Sequence, residues 1–236
     1  MNTEKLSARL QLVVNFIPKG YNLADIGSDH AYLPCYAVKK GIVPFAIAGE
    51  VVEGPYQSAL RQVKDEELTN RVSVRKGNGL EVIQPGEVDC ITIAGMGGTL
   101  ISNILEAGKE KLVNVKRLIL QPNISAISIR QWLIQNDWEL VEEEIIEEDG
   151  KIYEVLVAER GNSQKPYQME LHKGLLLGPF LLKRRNEVFI KKWLDEKRNW
   201  EKIMTQLLSA SQTVENMGKM TELKAKIKMV EEVLEK

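Results

Sequence analysis

Between residues 22 and 121 five short apolar runs recur at the spacing of strands, and four of them lead into a segment of helical periodicity. The runs lie at 22–26, 45–50, 71–75, 88–94 and 116–121, with helices expected near 31–40, 54–67, 98–108 and 124–136. Strands alternating with helices in this way imply an α/β fold, a parallel sheet with helices on both faces. Two later runs, 138–148 and 152–159, are joined across Glu148-Asp149-Gly150-Lys151. Asp-Gly between strand runs is a strong hairpin signal, so the sheet should end antiparallel. At the other end, a helix is expected over 3–15, with Leu6, Leu10, Val13 and Val14 on one face.

Composition changes at Gly161-Asn162-Ser163-Gln164-Lys165-Pro166, which reads as a domain edge dividing residues 1–160 from 161–236. Beyond it lies a helical segment broken at Gly178-Pro179. Two apolar stripes of helical spacing then follow, Phe189-Trp193-Trp200-Ile203-Leu207, with Glu196 as its charged member, and Met220-Leu223-Ile227-Val230-Leu234. A polar stretch containing Ser209, Ser211, Asn216 and Gly218 lies between them, which suggests an antiparallel coiled-coil hairpin. Charge divides at the same point. Residues 1–160 hold 17 Lys+Arg against 23 Asp+Glu, and residues 161–236 hold 15 against 10. An acidic body with a basic tail points to an anionic macromolecule touching the tail; a lysine-rich solvated helix face is the alternative. The two cysteines, Cys35 and Cys90, fall in expected core elements and suggest reduced thiols in a cytoplasmic protein. With two histidines and no cysteine at finger-like spacing, no metal site is expected. No signal peptide or bilayer-spanning run is read, no membrane partner is expected, and a monomer is favoured.

The first strand leads into LADIGSDHAYLP, residues 23–34, where an acid (Asp25), a glycine (Gly27) and a polar Ser28-Asp29-His30 precede a helix. This first strand-to-helix turn is where an open α/β sheet meets a nucleotide-like cofactor. The dinucleotide fingerprint G-x-G-x-x-G is not met, because Asp29 and Tyr32 stand at its second and third glycine positions. A carboxylate at Asp29 would face a bound pyrophosphate, and like charges 4 Å apart repel by about 4 kcal/mol at an effective dielectric of 20. S-adenosylmethionine has no phosphate and carries a cationic amine and a sulfonium, so the turn reads as a methyl-donor site.

Other residues extend that site. Glu50, followed by Val51, ends the second strand 23 residues after Gly27, where an acid can accept from both ribose hydroxyls. Asn78, between Gly77 and Gly79, can pair with an adenine edge; a plain tight turn is the alternative. Ala94-Gly95-Met96-Gly97-Gly98 removes side chains where a methyl group and its acceptor must meet. Asp29 and His30 are the candidate catalytic pair, although a structural histidine at a helix start reads nearly as well. Gln121 and Asn123 are candidates for reading a base edge. Arg9 is either a surface ion pair or a clamp on a ligand carboxylate or phosphate.

The segments DIGSDHAYLP, AGEV, GNG, AGMGG and LQPN, with a helical hairpin at the C-terminus, resemble the bacterial tRNA adenine-N1 methyltransferases of the TrmK type, which modify the adenosine at tRNA position 22. The resemblance implies a Rossmann-like class I S-adenosyl-L-methionine-dependent methyltransferase with an appended coiled coil, and tRNA as partner. It places Gly27, Asp29, His30, Glu50, Asn78, Gly79, Gly95 and Met96 in the donor pocket. Two other readings stay open: a small-molecule methyltransferase, and a non-catalytic ligand-binding module that recruits a partner.

Overall fold

The computed structural model describes residues 3–168, 170–209 and 213–235. One helix, α1 (Ala8–Asn15), precedes the sheet. Then come β1 (Leu23–Ile26), α2 (Tyr32–Lys39), β2 (Ala46–Glu50), α3 (Glu53–Asp65), β3 (Val72–Lys76), β4 (Cys90–Gly97), α4 (Gly98–Ala107), β5 (Arg117–Ile124) and α5 (Ala126–Gln135). The hairpin β6 (Trp138–Glu148) and β7 (Lys151–Arg160) completes the sheet. Strand order is β3-β2-β1-β4-β5-β7-β6, with β7 antiparallel to both β5 and β6. The order reverses between β1 and β4, and the crevice at the carboxyl ends there is where such sheets bind ligands.

Period-two alternation sends side chains to two separate cores. Ala24, Ile26, Ile47, Ile91 and Ile93 pack beneath α4 and α5 with Ile101, Leu105, Ile129 and Leu133. Leu23, Ala46, Ala48, Cys90 and Val157 face the other way, against Val13 and Val14 of α1, Leu33 and Val38 of α2, and Ala59 and Val63 of α3. Strands buried on both faces explain why β1 and β2 are apolar throughout, save for Asp25 and Glu50.

Four elements differ most from the sequence expectation in their bounds. Helix α1 begins at Ala8 rather than residue 3, because Ser7 caps it: the Ser7 hydroxyl accepts from Leu10 N at 3.3 Å. Strands β4 and β5 each run three residues further, to Gly97 and Ile124, since register shifts around Met96 let pairing continue through the glycines. Helix α9 (Val214–Leu234) takes in Asn216 and Gly218, its start set by Thr213, whose hydroxyl accepts from Asn216 N at 3.1 Å. Ser209 ends α8 (Glu187–Ser209), and Ser211 lies outside the described residues.

The break at Gly178-Pro179 separates α6 (Leu171–Leu177) from α7 (Leu181–Arg184). Helices α8 and α9 pack as a pair whose base is seated on the sheet: Phe189, Trp193, Val230 and Val233 join Leu177, Leu181 and Ile145 in one apolar cluster. Val233 takes an inner place, with Leu234 packed beside it. Tyr167, just after the expected linker, is 4% exposed and packs into the core under α5.

Behind that seat lies a buried charge group. Arg130 of α5 is fully buried between Glu143 of β6 and Glu154 of β7. Its Nε donates to Glu143 Oε1 at 2.7 Å, and its Nη1 donates to the Leu175 and Leu176 carbonyls at 3.2 and 3.3 Å. Glu143 Oε2 accepts from Phe180 N at 3.0 Å, and Lys192 of α8 pairs with Glu154. One guanidinium thus ties the sheet to α6, and its two acids extend the tie to α7 and α8. Among the described residues no helix is long and apolar enough to cross a membrane, and no group of three His, Cys, Asp or Glu is placed to hold a metal.

Candidate active site

The sequence-predicted residues fall in a row along the carboxyl edge of the sheet: Asn78 after β3, Glu50 at β2, Asp29 after β1, Gly95 and Met96 in β4, Gln121 and Asn123 in β5. Five adjacent strands at about 4.8 Å spacing give this row a span of roughly 19 Å. Its centre is a cavity of about 260 Å³ lined by Arg9, Asp25, Gly27, Asp29, Gly95 and Met96, among others.

The turn after β1 is held by backbone. Gly27 N and Ser28 N both donate to the Gly49 carbonyl, at 2.9 and 3.1 Å. Gly27 has φ +70°, and a Cβ there would lie 2.0 Å from Met96 Cε. Asp29 and Ala31 also adopt left-handed φ, at 53° and 55°. Their strain is tolerated because Asp29 N is anchored, donating to Glu50 Oε2 at 3.1 Å. Glu50 Oε1 accepts from Val51 N at 3.0 Å and Val52 N at 3.3 Å. Three of the roughly four lone-pair sites of that carboxylate are therefore engaged, and one remains for a hydroxyl. Val51 itself is exposed.

Asp29 points outward, its side chain 67% exposed, with His30 Nε2 3.6 Å from its Oδ1. The His30 ring stacks on Tyr32 at 5.2 Å between centroids. Asp25 is turned inward. It accepts from the Ser28 and Thr92 hydroxyls, both at 2.6 Å, so its carboxyl secures the turn to β4. Burial pushes its pKa up to about 6, against those two hydrogen bonds. A raised carboxyl pKa means that the folded state holds its proton more tightly, so stability falls as pH rises from about 4 to about 6. The shift corresponds to about 3 kcal/mol. Asp25→Asn should remove that slope: the stability difference between variant and wild type, from urea unfolding, should move in the variant's favour between pH 4.5 and pH 7. An equal difference at both pH values would refute the assignment.

Arg9 reaches the cavity rather than a surface acid. Its guanidinium donates to Gln121 Oε1 and lies 5.2 Å over the Tyr153 ring. Gln121, fully buried, also accepts from Gly95 N at 3.0 Å, and Asn123 Nδ2 donates to the Gly95 carbonyl at 2.8 Å. Both amides therefore brace the bulge of β4, where Gly95 has φ +80°. Helix α1 is held in place by the hairpin tip: Glu148 accepts from Ala8 N at 2.5 Å and Arg9 N at 3.3 Å. Tyr153 and Glu148 are site residues that sequence reasoning missed; the Asp-Gly turn marked the hairpin but not where its tip would land. Asn78 and Gly79 line a second cavity of about 280 Å³, with Leu100, Asn103 and Ile104 of α4, which shares no lining residue with the cavity that Arg9 lines.

These residues suit S-adenosyl-L-methionine. A cavity with acids and without side chains at Gly27 and Gly95 accommodates a cationic donor. Glu50 keeps one acceptor site for the ribose, and Arg9 offers a partner for a carboxylate. A model of the TrmK family, described as tRNA (adenine(22)-N(1))-methyltransferase, matches residues 23–232. The chain is 53% identical over its full length to the tRNA (adenine(22)-N(1))-methyltransferase of Bacillus subtilis, of which it covers 99%. The crystal structure of the B. subtilis M1A22 tRNA methyltransferase TrmK superposes with a TM-score of 0.94 at 52% identity, over 98% of this chain and 99% of that one. A Streptococcus pneumoniae protein solved in complex with S-adenosyl-L-methionine superposes at 0.86 with 44% identity, over 98% of this chain and all of the other. A Rossmann-like sheet closed by a hairpin, a cavity at its switch point and a match of this length have one reading: the chain belongs to the TrmK family of tRNA (adenine(22)-N(1))-methyltransferases.

Proposed function

We propose that the protein methylates N1 of adenine 22 in tRNA, and that the cavity at the β1–β4 switch point holds the donor. The carrying observation is the run of acceptors and side-chain-free backbone along the carboxyl edge, in a chain matched end to end by the B. subtilis enzyme. S-adenosyl-L-methionine supplies a methyl already activated on a sulfonium. The adenine N1 lone pair forms the new N–C bond as the C–S bond breaks onto sulfur, so positive charge passes to the purine and no proton moves. The chain must therefore orient the partners and exclude water, and offer a counter-charge to the cationic product. Glu50 fixes the ribose end, Arg9 the carboxylate end, and Gly95 leaves room for the methyl beside Met96, whose Cε fills the space that Gly27 leaves open. Asp29 supplies the counter-charge, with His30 beside it. A cytoplasmic site of action follows from tRNA as substrate. Methyl transfer from labelled donor into a tRNA transcript with A22, and none into the same transcript with G22, is the expected result; equal labelling of both would overturn the reading.

Residues 1–160 are read as the donor-binding domain and 161–236 as the grip on tRNA. Support comes from a groove of about 530 Å³ whose lining includes Lys165, Lys173, Lys183 and Arg185. Lys165 pairs with Glu139 and Lys173 with Glu170 and Glu232. Lys183 lies over the Phe180 ring and Arg185 donates to the Leu182 carbonyl; neither enters an ion pair among the described residues. Lys183→Glu with Arg185→Glu should weaken tRNA binding about tenfold and flatten its salt dependence by one to two units of slope, with donor affinity intact. An unchanged salt slope would remove the groove from the grip.

A further inference from the structure

A second crevice lies beside the donor cavity, between the end of β5 and the C-terminal helix α8. It encloses about 280 Å³, and its lining includes Asn123, Ser125, Ile152, Glu154, Lys192 and Glu196. Asn123 is the partition between the two spaces, since its amide donates to the carbonyl of Gly95, a lining residue of the donor cavity. Ile124, the next residue, stands 73% exposed at the crevice wall, an apolar surface on rigid strand that a base face can cover.

The charges of the crevice say which part of a nucleotide it takes. Lys192 is the one cation in its lining, against Glu154, Asp195 and Glu196. Lys192 is engaged with Glu154, and Asp195 pairs with Arg198 at 3.2 Å. Glu196, half-buried, enters no hydrogen bond or ion pair among the described residues, and its charge acts on Lys192. A surplus of acid repels a phosphate and favours a group that gains positive charge. In this reaction that group is the purine.

We propose that this crevice is the acceptor-base pocket, in which Glu196 of α8 faces the adenine and stabilises the charge it acquires. The C-terminal hairpin then furnishes one wall of the reaction site as well as a hold on the tRNA body. The proposal rests on the reading that the protein methylates adenine in tRNA. A base buried in folded tRNA must be drawn out to reach it, and Ile124 is placed at the pocket it enters.

Glu196→Gln tests the charge. It should lower kcat at saturating tRNA about tenfold or more, while KM for tRNA, the dissociation constant for S-adenosyl-L-methionine by calorimetry and the melting temperature stay as in the wild type. A merely peripheral acid would behave in the opposite way: its removal would tighten tRNA binding and leave kcat unchanged, and that outcome overturns the proposal. Asp195→Trp tests the space. Its side chain is largely exposed, so the fold should tolerate the change, and kcat/KM for tRNA should fall at least tenfold with donor affinity intact. Unchanged kcat/KM would show that nothing enters the crevice. A wild-type protein that binds the donor but labels no tRNA would instead refute the assigned reaction, and the pocket with it.

Discussion

Arg130→Ala should destabilise the protein by about 3–5 kcal/mol, the cost of leaving buried acids without their cation. Arg130 is the centre of its group: Glu143 and Glu154 are both buried, and Lys192 reaches only Glu154. At roughly 2–4 °C per kcal/mol for a chain of this length, the melting temperature should drop by about 10 °C. The buried charges themselves add little net stability. Arg130→Met combined with Glu143→Met and Glu154→Met should therefore recover much of what the single change loses. A single variant melting within 2 °C of wild type would show that water reaches the acids. Because Arg130 also donates to the Leu175 and Leu176 carbonyls, proteolysis of the variant should begin in the C-terminal segment.

Asp29→Asn should cut turnover at saturating donor and tRNA by about a hundredfold, with tRNA affinity intact. Asparagine is the informative replacement because Asp29 has φ +53°, a left-handed conformation that asparagine adopts more readily than alanine. The variant keeps the backbone donor to Glu50 and loses only the charge. Lost tRNA binding with preserved turnover on bound substrate would remove Asp29 from the chemistry and make it a docking residue.

Much of this architecture could be read before any coordinates. The strand rhythm places all seven strands, because those buried on two faces have little choice but apolar sequence, and Asp149-Gly150 marks the hairpin. The turn after β1 was legible as a candidate donor site because Gly27 and Asp29 stand in a pattern whose chemistry disfavours a pyrophosphate, and both residues line the cavity. What escaped is long-range. No local pattern says that Glu148 will cap α1, or that Tyr153 will lie under Arg9, since those contacts join residues about 140 apart. The ends of β4 and β5 were misread for a related reason. Glycines and a proline signal a stop, but here they form a bulge held by Gln121 and Asn123, and pairing continues past it. Gln121 and Asn123, expected to read a base edge, spend amide groups bracing that bulge. Arg130 carried no signal either: a lone arginine on an amphipathic helix reads as surface.

The contact between Glu148 and the start of α1 bears on synthesis. The ribosome delivers α1 first and the hairpin that holds it more than a hundred residues later, and β7 must slot between β5 and β6 before the sheet is whole. A nascent chain that has emerged only as far as β5 has Gln121 to meet the Arg9 guanidinium, yet lacks Glu148, which holds the start of α1, and the Tyr153 ring beneath Arg9. The set of contacts that holds Arg9 at the cavity is therefore complete only when the closing hairpin has formed.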